Sequence, residues 1–314
     1  MADGIAITGP TASGKTALAV EVARRVDGEI ISMDSRQVYT GMDIGTAKAS
    51  AEQRALVAHF GIDVLPPSER YNAGRFAREA REWIRQIRSR GHVPVLVGGT
   101  GFFLRSLTRP MFPEPPLEPK RKDALRRYLG RCSREELLAW LTALDAESAS
   151  RLAREGGRQR LARAIEVALL TGRALSSWQR EYLPGVRALH FRTFVLNLPR
   201  EVLHERINRR VADMLAAGLV DEMRGLLAAG YDEEAPGLNA TGYIELLPYL
   251  RGETTLEAAA AEIRAATRQY ARRQMTWFRH QLGTDALALD ATRPTDELAR
   301  IIAAVWSADN GGES

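Results

Sequence analysis

A glycine-rich loop near the N-terminus constrains this chain more than any other feature. The sequence GPTASGKT occupies residues 9–16, follows a short apolar segment at residues 4–8 and precedes residues with helical apolar spacing. This arrangement fits the Walker A pattern of a strand, a glycine-rich loop and a helix. Backbone N–H groups in such a loop, at a helix N-terminus, attract phosphate oxygens. The pattern predicts a site for two phosphates, without specifying ATP.

Every residue of this loop is a candidate diphosphate ligand. The predicted set is Gly9, Pro10, Thr11, Ala12, Ser13, Gly14, Lys15 and Thr16. Lys15 adds a point charge, and the hydroxyl of Thr16 is a candidate ligand for Mg²⁺. The alternative for the same residues is a glycine-rich turn that binds no ligand.

The order of apolar segments predicts an α/β fold. Strands are expected at residues 4–8, 29–32 and 93–97, with an amphipathic helix at residues 76–90 between the last two. A further strand is expected at residues 189–198, and a short one near residues 286–289. Strands that alternate with helices indicate a P-loop NTPase-like parallel sheet with helices on both faces.

A helical insertion domain interrupts this core. Residues 111–119 read MFPEPPLEP, which is typical of a linker. The sequence from residue 120 to about 182 has helical apolar spacing throughout. Residues 118–181 contain 14 Lys and Arg against nine Asp and Glu, so the insertion is basic. We therefore expect a P-loop core at residues 1–113 and 183–314, and a basic helical insertion at residues 114–182.

Composition indicates an ordinary globular protein of the cytoplasm. The 314 residues are 45% hydrophobic and 26% charged, and Cys132 is the single cysteine. No signal segment or membrane-spanning helix is expected, and one cysteine cannot form an internal disulfide. The net charge of +5 is a weak indication of a nucleic-acid partner. We expect a monomer.

Two segments at predicted strand ends carry candidate catalytic residues. Asp34 follows the second strand, and in parallel sheets ligands bind beyond the carboxyl ends of the strands. Its carboxylate could take a proton from a substrate, join the water shell of a metal, or cap a helix, for which Ser35 is an alternative. Thr100, in the sequence GGTG, offers a hydroxyl beside flexible backbone, although a strand-to-helix turn capped by Thr100 is the simpler interpretation.

A second basic segment lies near the C-terminus. Residues 263–284 contain five arginines and no acidic residue. Arg264, Arg268 and Arg272 are four positions apart and therefore line one helix face. The interleaved aromatic residues Tyr270 and Trp277 would suit RNA, which offers phosphates and stackable bases. A solvated basic face is the alternative.

Seven motifs together resemble the tRNA dimethylallyltransferase family. Besides the loop at residues 9–16 they are MDSRQVYTGMDIGTAK at 33–48, VGGTGFF at 97–103, QRLARAIEV at 159–167, RINRRVADML at 206–215, ATGYIELLPYL at 240–250 and TRQYARRQMTWFR at 267–279. The matches occur in order over about nine-tenths of the chain. The resemblance implies transfer of a dimethylallyl group from dimethylallyl diphosphate to N6 of adenine-37 in tRNA, next to the anticodon.

The resemblance also implies roles for individual residues. Thr11 to Thr16 would hold the diphosphate, with Mg²⁺ at Thr16. Asp34 would be the general base, Thr100 would contact both substrates, and Arg210 would bind the diphosphate from the far side. The segments implied to touch the anticodon stem-loop comprise Asp34, Ser35, Arg36, Gln37, Gln159, Arg160, Leu161, Ala162, Arg163, Leu238, Asn239, Ala240, Thr241, Gly242 and Tyr243. To these the basic face of Arg264, Arg268 and Arg272 is added.

The sequence departs from the family pattern at a few positions. Gly156 and Gly157 stand where the family has Asn-Asp, Thr241 stands where it has Ile, and Phe103 where a Tyr is common. Three other functions remain open. A small-molecule kinase and an isopentenyltransferase acting on free adenine nucleotides would share the loop, and an RNA-binding protein without catalysis would share the basic segments.

Overall fold

The computed structural model describes residues 2–109, 118–182 and 187–310. The chain divides into two compact units: Met1–Thr108 with Leu189–Ser314, and Arg109–Ala188. The second unit begins at 109 where the sequence predicted 114, and ends at 188 where it predicted 182. Most of the predicted linker, residues 111–117, lies outside the described residues.

The larger unit is built on a parallel six-stranded sheet. Its strands are β1 (Gly4–Thr8), β2 (Gly28–Ser32), β3 (His59–Phe60), β4 (Val93–Gly98), β5 (Phe191–Asn197) and β6 (Leu287–Asp290). They are arranged in the order β3-β2-β4-β1-β5-β6, and every neighbouring pair is parallel. β1 is buried along its whole length, which explains why it reads as a continuous apolar run. The predicted α/β fold class is confirmed.

Helices follow the strands in the larger unit. They are α1 (Lys15–Arg25), α2 (Ala51–Leu56), α3 (Ala73–Ser89), α4 (Gly101–Thr108), α10 (Arg200–Ala216), α11 (Leu219–Ala228), α12 (Leu247–Leu250), α13 (Leu256–Gln281) and α14 (Thr295–Asn310). One apolar core joins α1 and α14 to the central strands. A second core gathers residues of α10, α11 and the first half of α13.

The smaller unit is helical in its described part, as the apolar spacing predicts. Its helices are α5 (Pro119–Leu129), α6 (Arg134–Leu144), α7 (Ala146–Glu155), α8 (Arg158–Thr171) and α9 (Leu175–Tyr182). Leu137, Leu141 and Ile165 lie in its own apolar core. Ser133 and Glu136 form a capping box at the start of α6, and Asp145 caps α7. No helix in the described residues is both long and apolar enough to span a membrane.

The register of the sheet places three loops side by side. Thr8 of β1 is level with Gly98 of β4, and Val97 of β4 is level with Ser32 of β2. The carboxyl ends of these neighbouring strands therefore meet at one edge. The glycine-rich loop, Asp34 and Thr100 follow β1, β2 and β4, so they converge at that edge.

Candidate active site

The loop after β1 adopts a conformation that exposes backbone N–H groups. Its backbone is left-handed at Gly9 (φ 148°), Ala12 (φ 62°) and Gly14 (φ 88°). A side chain at Gly9 would come within 2.9 Å of the Leu196 carbonyl oxygen, so the close approach to β5 requires glycine. Among the described residues no side chain caps α1, and its first turn has no acidic residue. The N-terminal N–H groups of α1 are therefore available to an anion.

A cavity of about 300 Å³ lies over this loop. The loop supplies Lys15 and Thr16, the end of β2 leads to Asp34, and α10 supplies Arg210. Ser13 Oγ is buried and has no hydrogen-bond partner among the described residues. An unsatisfied buried hydroxyl next to free backbone donors is expected where a polar ligand completes the hydrogen bonding.

The side chain of Lys15 reaches back to the start of its own loop. Its Nζ donates a hydrogen bond to the Pro10 carbonyl at 2.6 Å. Burial and the neighbouring charge of Arg210 together lower the pKa of Lys15 to about 7, against the opposing effect of Asp34. A diphosphate in the cavity would supply the negative charge that a buried ammonium lacks, and would favour the protonated amine.

Arg210 is the member of its helix that faces the cavity. Burial lowers the pKa of Arg210, and the nearby charge of Asp34 opposes that effect. The preceding Arg209 is exposed and pairs with Glu205 at 3.5 Å, while Arg206 donates to the Ala291 carbonyl at 3.1 Å. These three arginines of the helix therefore have different environments, and Arg210 is the one among them that lines the cavity.

Asp34 lies in a turn and does not begin a helix. Residues 35–38 form turns, so the helix-capping interpretations of Asp34 and Ser35 are wrong. Asp34 Oδ1 accepts the Arg36 N–H at 2.8 Å, and this bond orients the carboxylate. The remaining acceptor positions of the carboxylate are available for a substrate proton.

Thr100 connects the ends of β4 and β2. Its Oγ1 accepts the Ser35 N–H at 3.1 Å, and its own N–H donates to the Met33 carbonyl at 3.2 Å. The hydroxyl therefore binds the neighbouring loop instead of capping α4, contrary to the simpler interpretation of the sequence. The phenol of Tyr270 on α13 lies beside Thr100 and Asp34. Burial and the charge of Asp34 raise the pKa of Tyr270 to about 12, so that phenol stays protonated at neutral pH.

Gln274 is a cavity residue that lies within the motif at 267–279 but that the sequence analysis did not single out. Its Oε1 accepts the Thr11 N–H at 2.8 Å, and its Nε2 donates to the Gly99 carbonyl at 2.9 Å. The Thr11 N–H is therefore already bonded, and the expected contribution of Thr11 to diphosphate binding falls to its hydroxyl. One signal was present in the sequence: Gln274 is an amide on a helix face that otherwise buries Ala271 and Phe278.

The residues at the cavity fit a magnesium ion only as part of a metal–diphosphate complex. No group of three or more His, Cys, Asp or Glu side chains in the described residues could hold a metal. The hydroxyl of Thr16 and the carboxylate of Asp34 both line the cavity, and both are hard oxygen donors. Mg²⁺ is commonly held by one or two protein oxygens together with substrate phosphates and water, which matches this set.

Comparison with known proteins identifies the family. A family model described as IPP transferase matches residues 37–281, which is most of the chain. The chain belongs to the IPP transferase family. A second model, described as isopentenyl transferase, matches residues 3–57.

Curated relatives of this family share about two-fifths of their residues with the chain. The tRNA dimethylallyltransferase of Syntrophobacter fumaroxidans is 42% identical over 88% of this chain and 80% of the relative. The tRNA dimethylallyltransferase of Sinorhizobium medicae is 42% identical over 94% of this chain and 97% of the relative. The similarity therefore extends over nearly the full length of these proteins.

Solved structures of the family share the fold. A tRNA isopentenylpyrophosphate transferase from Staphylococcus epidermidis matches with a TM-score of 0.70 at 36% identity, covering 97% of this chain and 98% of the other. A eukaryotic dimethylallyltransferase acting on tRNA matches with a TM-score of 0.80 at 28% identity, covering 98% and 79%.

The first segment assigned to tRNA, from Asp34 to Gln37, forms part of the cavity wall. Arg36 donates to the Pro236 carbonyl at 2.9 Å. Gln37 Oε1 accepts the Ser32 hydroxyl at 2.8 Å, and its Nε2 donates to the Thr46 carbonyl at 3.3 Å. Gln37 is thus bonded within the protein and supports the wall of the IPP transferase cavity.

The segment from Leu238 to Tyr243 is mostly internal. Leu238, Ala240 and Tyr243 are buried, so their side chains cannot reach RNA in this conformation. The Tyr243 hydroxyl donates to Glu222 at 2.6 Å, which ties this segment to α11. Asn239 is exposed and Thr241 is half-buried, so an RNA contact here would involve those two side chains or backbone.

The segment from Gln159 to Arg163 lies at the start of α8 in the smaller unit. Gln159 and Arg160 are exposed, whereas Leu161 is fully buried in the apolar core of that unit. Ala162 and Arg163 are half-buried, and Arg163 pairs with Glu166. The exposed polar residues at the start of this helix are the ones that could contact a phosphate.

Helix α13 separates its charged residues from its aromatic ones. Arg272 is exposed, Arg264 and Arg268 are half-buried, and Arg268 donates to the Asn208 side chain at 3.1 Å. The aromatic residues lie elsewhere: Tyr270 lines the cavity, and Trp277 packs against Gly101. The expectation that these aromatics stack on RNA bases is therefore not supported, because the packing of α13 uses them internally.

Proposed function

We propose that this protein transfers a dimethylallyl group from dimethylallyl diphosphate to the exocyclic N6 of adenine-37 in tRNA. The observation that carries the proposal is the shared cavity: phosphate-binding groups and a carboxylate line the same space at one sheet edge. Relatives at 42% identity are named tRNA dimethylallyltransferase, and that reaction requires this pairing of a donor site and a base.

On the donor side, the protein would stabilise the departing diphosphate. The allylic carbon becomes positive as its C–O bond to the diphosphate breaks, and negative charge collects on the leaving group. The loop N–H groups, Lys15 and Arg210 stabilise that charge where it develops. A magnesium ion bound with the diphosphate, with Thr16 as a ligand, would supply further positive charge for the leaving group.

On the acceptor side, Asp34 would act as general base. The lone pair of adenine N6 is delocalised into the ring, so this amine is a weak nucleophile. As N6 forms its bond to the allylic carbon, one N6 proton passes to Asp34. The hydroxyl of Thr100, held by the Ser35 N–H, would orient the adenine between carboxylate and donor. The adenine must leave the stacked anticodon loop to reach this cavity.

The basic surfaces would hold the anticodon stem-loop. The insertion and the Arg264, Arg268 and Arg272 face of α13 offer positive charge for phosphates. We also propose that the protein acts as a monomer. Since the acceptor is tRNA, we place the protein in the cytoplasm.

One experiment separates the candidate acceptors. The protein is incubated with dimethylallyl diphosphate, Mg²⁺ and, in parallel, bulk tRNA, AMP or ATP, and the nucleosides are analysed by mass. The proposal predicts N6-dimethylallyl adenosine from tRNA alone. Product from AMP or ATP would support the free-nucleotide transferase, which the match to residues 3–57 makes the second candidate. ATP turnover without prenylation would instead indicate a kinase.

A further inference from the structure

Gln274 joins the two loops that the reaction brings together. Its side chain is buried, with the residue 6% exposed. One end of its amide accepts the Thr11 N–H, 263 positions away in sequence, and the other end donates to the Gly99 carbonyl, 175 positions away. Reversing the amide would place a donor against an N–H and an acceptor against a carbonyl. The two bonds therefore fix one orientation of the Gln274 amide.

The bond to Thr11 also determines where Lys15 finds its acceptor. The Thr11 N–H and the Pro10 carbonyl belong to one peptide group, which is planar and trans. They point in opposite directions, to Gln274 and to Lys15 Nζ at 2.8 Å and 2.6 Å. A rotation of this peptide that broke the Gln274 bond would also turn the Pro10 carbonyl away from Lys15.

Helix α13 contacts the 99–101 loop at three points along one face. Tyr270 lies beside Thr100, Gln274 donates to the Gly99 carbonyl, and the ring of Trp277 lies against Gly101. A Cβ at Gly99 would overlap the Gln274 amide nitrogen, so glycine is required there for the bond to form. This face of α13 therefore sets the relative position of the loop carrying Thr100 and the loop carrying Lys15.

We propose that Gln274 is a positioning residue of the donor site. It acts through the Pro10–Thr11 peptide, by holding the diphosphate loop and its lysine in register with the Gly99–Thr100 loop. The identity of the donor rests on the proposed function, whereas the positioning of a diphosphate does not. Gln274 touches no reacting atom, and its effect is on donor binding.

Gln274→Met tests this role, because methionine is similar in length and can replace neither bond. We expect the dissociation constant of inorganic diphosphate with Mg²⁺, measured by calorimetry, to rise about tenfold. We expect KM for dimethylallyl diphosphate to rise by about the same factor. KM for tRNA should stay within about twofold, since Thr100 keeps its bonds to the Ser35 N–H and the Met33 carbonyl when Gln274 is replaced. The control is Gln269→Met, an exposed glutamine of the same helix, which should leave all three constants unchanged.

Gly99→Ala is the second test and leaves Gln274 in place. The added methyl group displaces the amide, so the same selective loss of diphosphate affinity is expected. A folded Gln274→Met protein with unchanged diphosphate affinity would overturn the proposal; if that variant does not fold, unchanged affinity in Gly99→Ala would do so. A lower thermal midpoint with no selective loss of diphosphate affinity would also overturn it, because Gln274 would then be structural only. Absence of tRNA prenylation by the unaltered protein, with the Gln274 dependence intact, would refute the proposed function alone.

Discussion

The positive and the negative side chains of the cavity would have different roles in binding the two substrates. Lys15 and Arg210 are two cationic side chains whose burial and mutual repulsion lower the pKa of Lys15 to about 7. Asp34 is the carboxylate whose charge acts on both of them. A bound diphosphate would satisfy the two cations and leave Asp34 facing the acceptor. The roles of these three residues can therefore be separated by substitution.

Asp34→Asn keeps the shape of the side chain and removes the base. We expect the single-turnover rate of transfer to fall by about 10²–10⁴-fold. Diphosphate affinity, measured by calorimetry, should be unchanged or slightly tighter, because a negative charge near the anion is removed. A loss of affinity as large as that of Lys15→Ala would favour a role for Asp34 in the water shell of the metal.

Arg210→Ala should raise KM for dimethylallyl diphosphate and slow transfer, because it removes positive charge where leaving-group charge develops. Arg210→Lys should restore activity only in part, since an ammonium lacks the guanidinium fork. Steady-state kinetics with Arg209→Ala as control measure the effect, because Arg209 is exposed on the same helix. Full activity in Arg210→Ala would show that Arg210 has no part in donor binding.

At the scale of elements, the loops that follow β1, β2 and β4 were easier to predict from the sequence than the residues that hold these loops in place. β1, β2 and β4 were predictable because each is a buried apolar run followed by glycine or a polar turn. β3 was missed because two residues carry no periodic pattern. Gln274 was missed because its partners Thr11 and Gly99 lie 263 and 175 positions away in sequence, and only the packing of α13 on the 99–101 loop brings them together.

The loop 43–45, which precedes the cavity-lining residues 46–49, depends on a carboxylate from α11. Glu222 accepts the N–H groups of Asp43, Ile44 and Gly45 at 2.8, 2.7 and 3.1 Å, as well as the Tyr243 hydroxyl. Glu222→Gln should lower the free energy of unfolding by about 2 kcal/mol or more, because it loses charge-assisted bonds and places an amide donor against other donors. Urea denaturation measures this, with Glu205→Gln on the exposed face of α10 as control. Equal stability of the two variants would contradict the bonding described.

We expect the arginine face of α13 to contribute to the binding of tRNA and not to the binding of the donor. Replacing Arg264, Arg268 and Arg272 with glutamate should raise KM for tRNA and leave KM for the donor unchanged. The dependence of tRNA affinity on salt should flatten by about one unit of slope for each phosphate that the protein no longer neutralises. Filter binding over a range of salt concentrations tests this. Normal tRNA binding at every salt concentration would show that this face is only a solvated surface.

At the scale of the whole molecule, the larger unit contains every lining residue of the cavity, while the smaller unit adds a separate basic helical body. The family and the chemistry could be predicted from motifs in the larger unit, since strand order places them at one edge. The contribution of the smaller unit could not, because its buried residues, such as Leu161, serve its own core. Contact between its exposed residues and tRNA stays a prediction.

The most direct test of the account is to map the modified nucleotide. The unaltered protein, alone with Mg²⁺ and dimethylallyl diphosphate, is given an anticodon stem-loop that carries adenine-37, and the product is digested and sequenced by mass. One dimethylallyl group on N6 of adenine-37 is the predicted result, with none when that adenine is replaced by guanine. Transfer to another position, or transfer to AMP with the stem-loop left unmodified, would contradict the assignment of this cavity to tRNA prenylation.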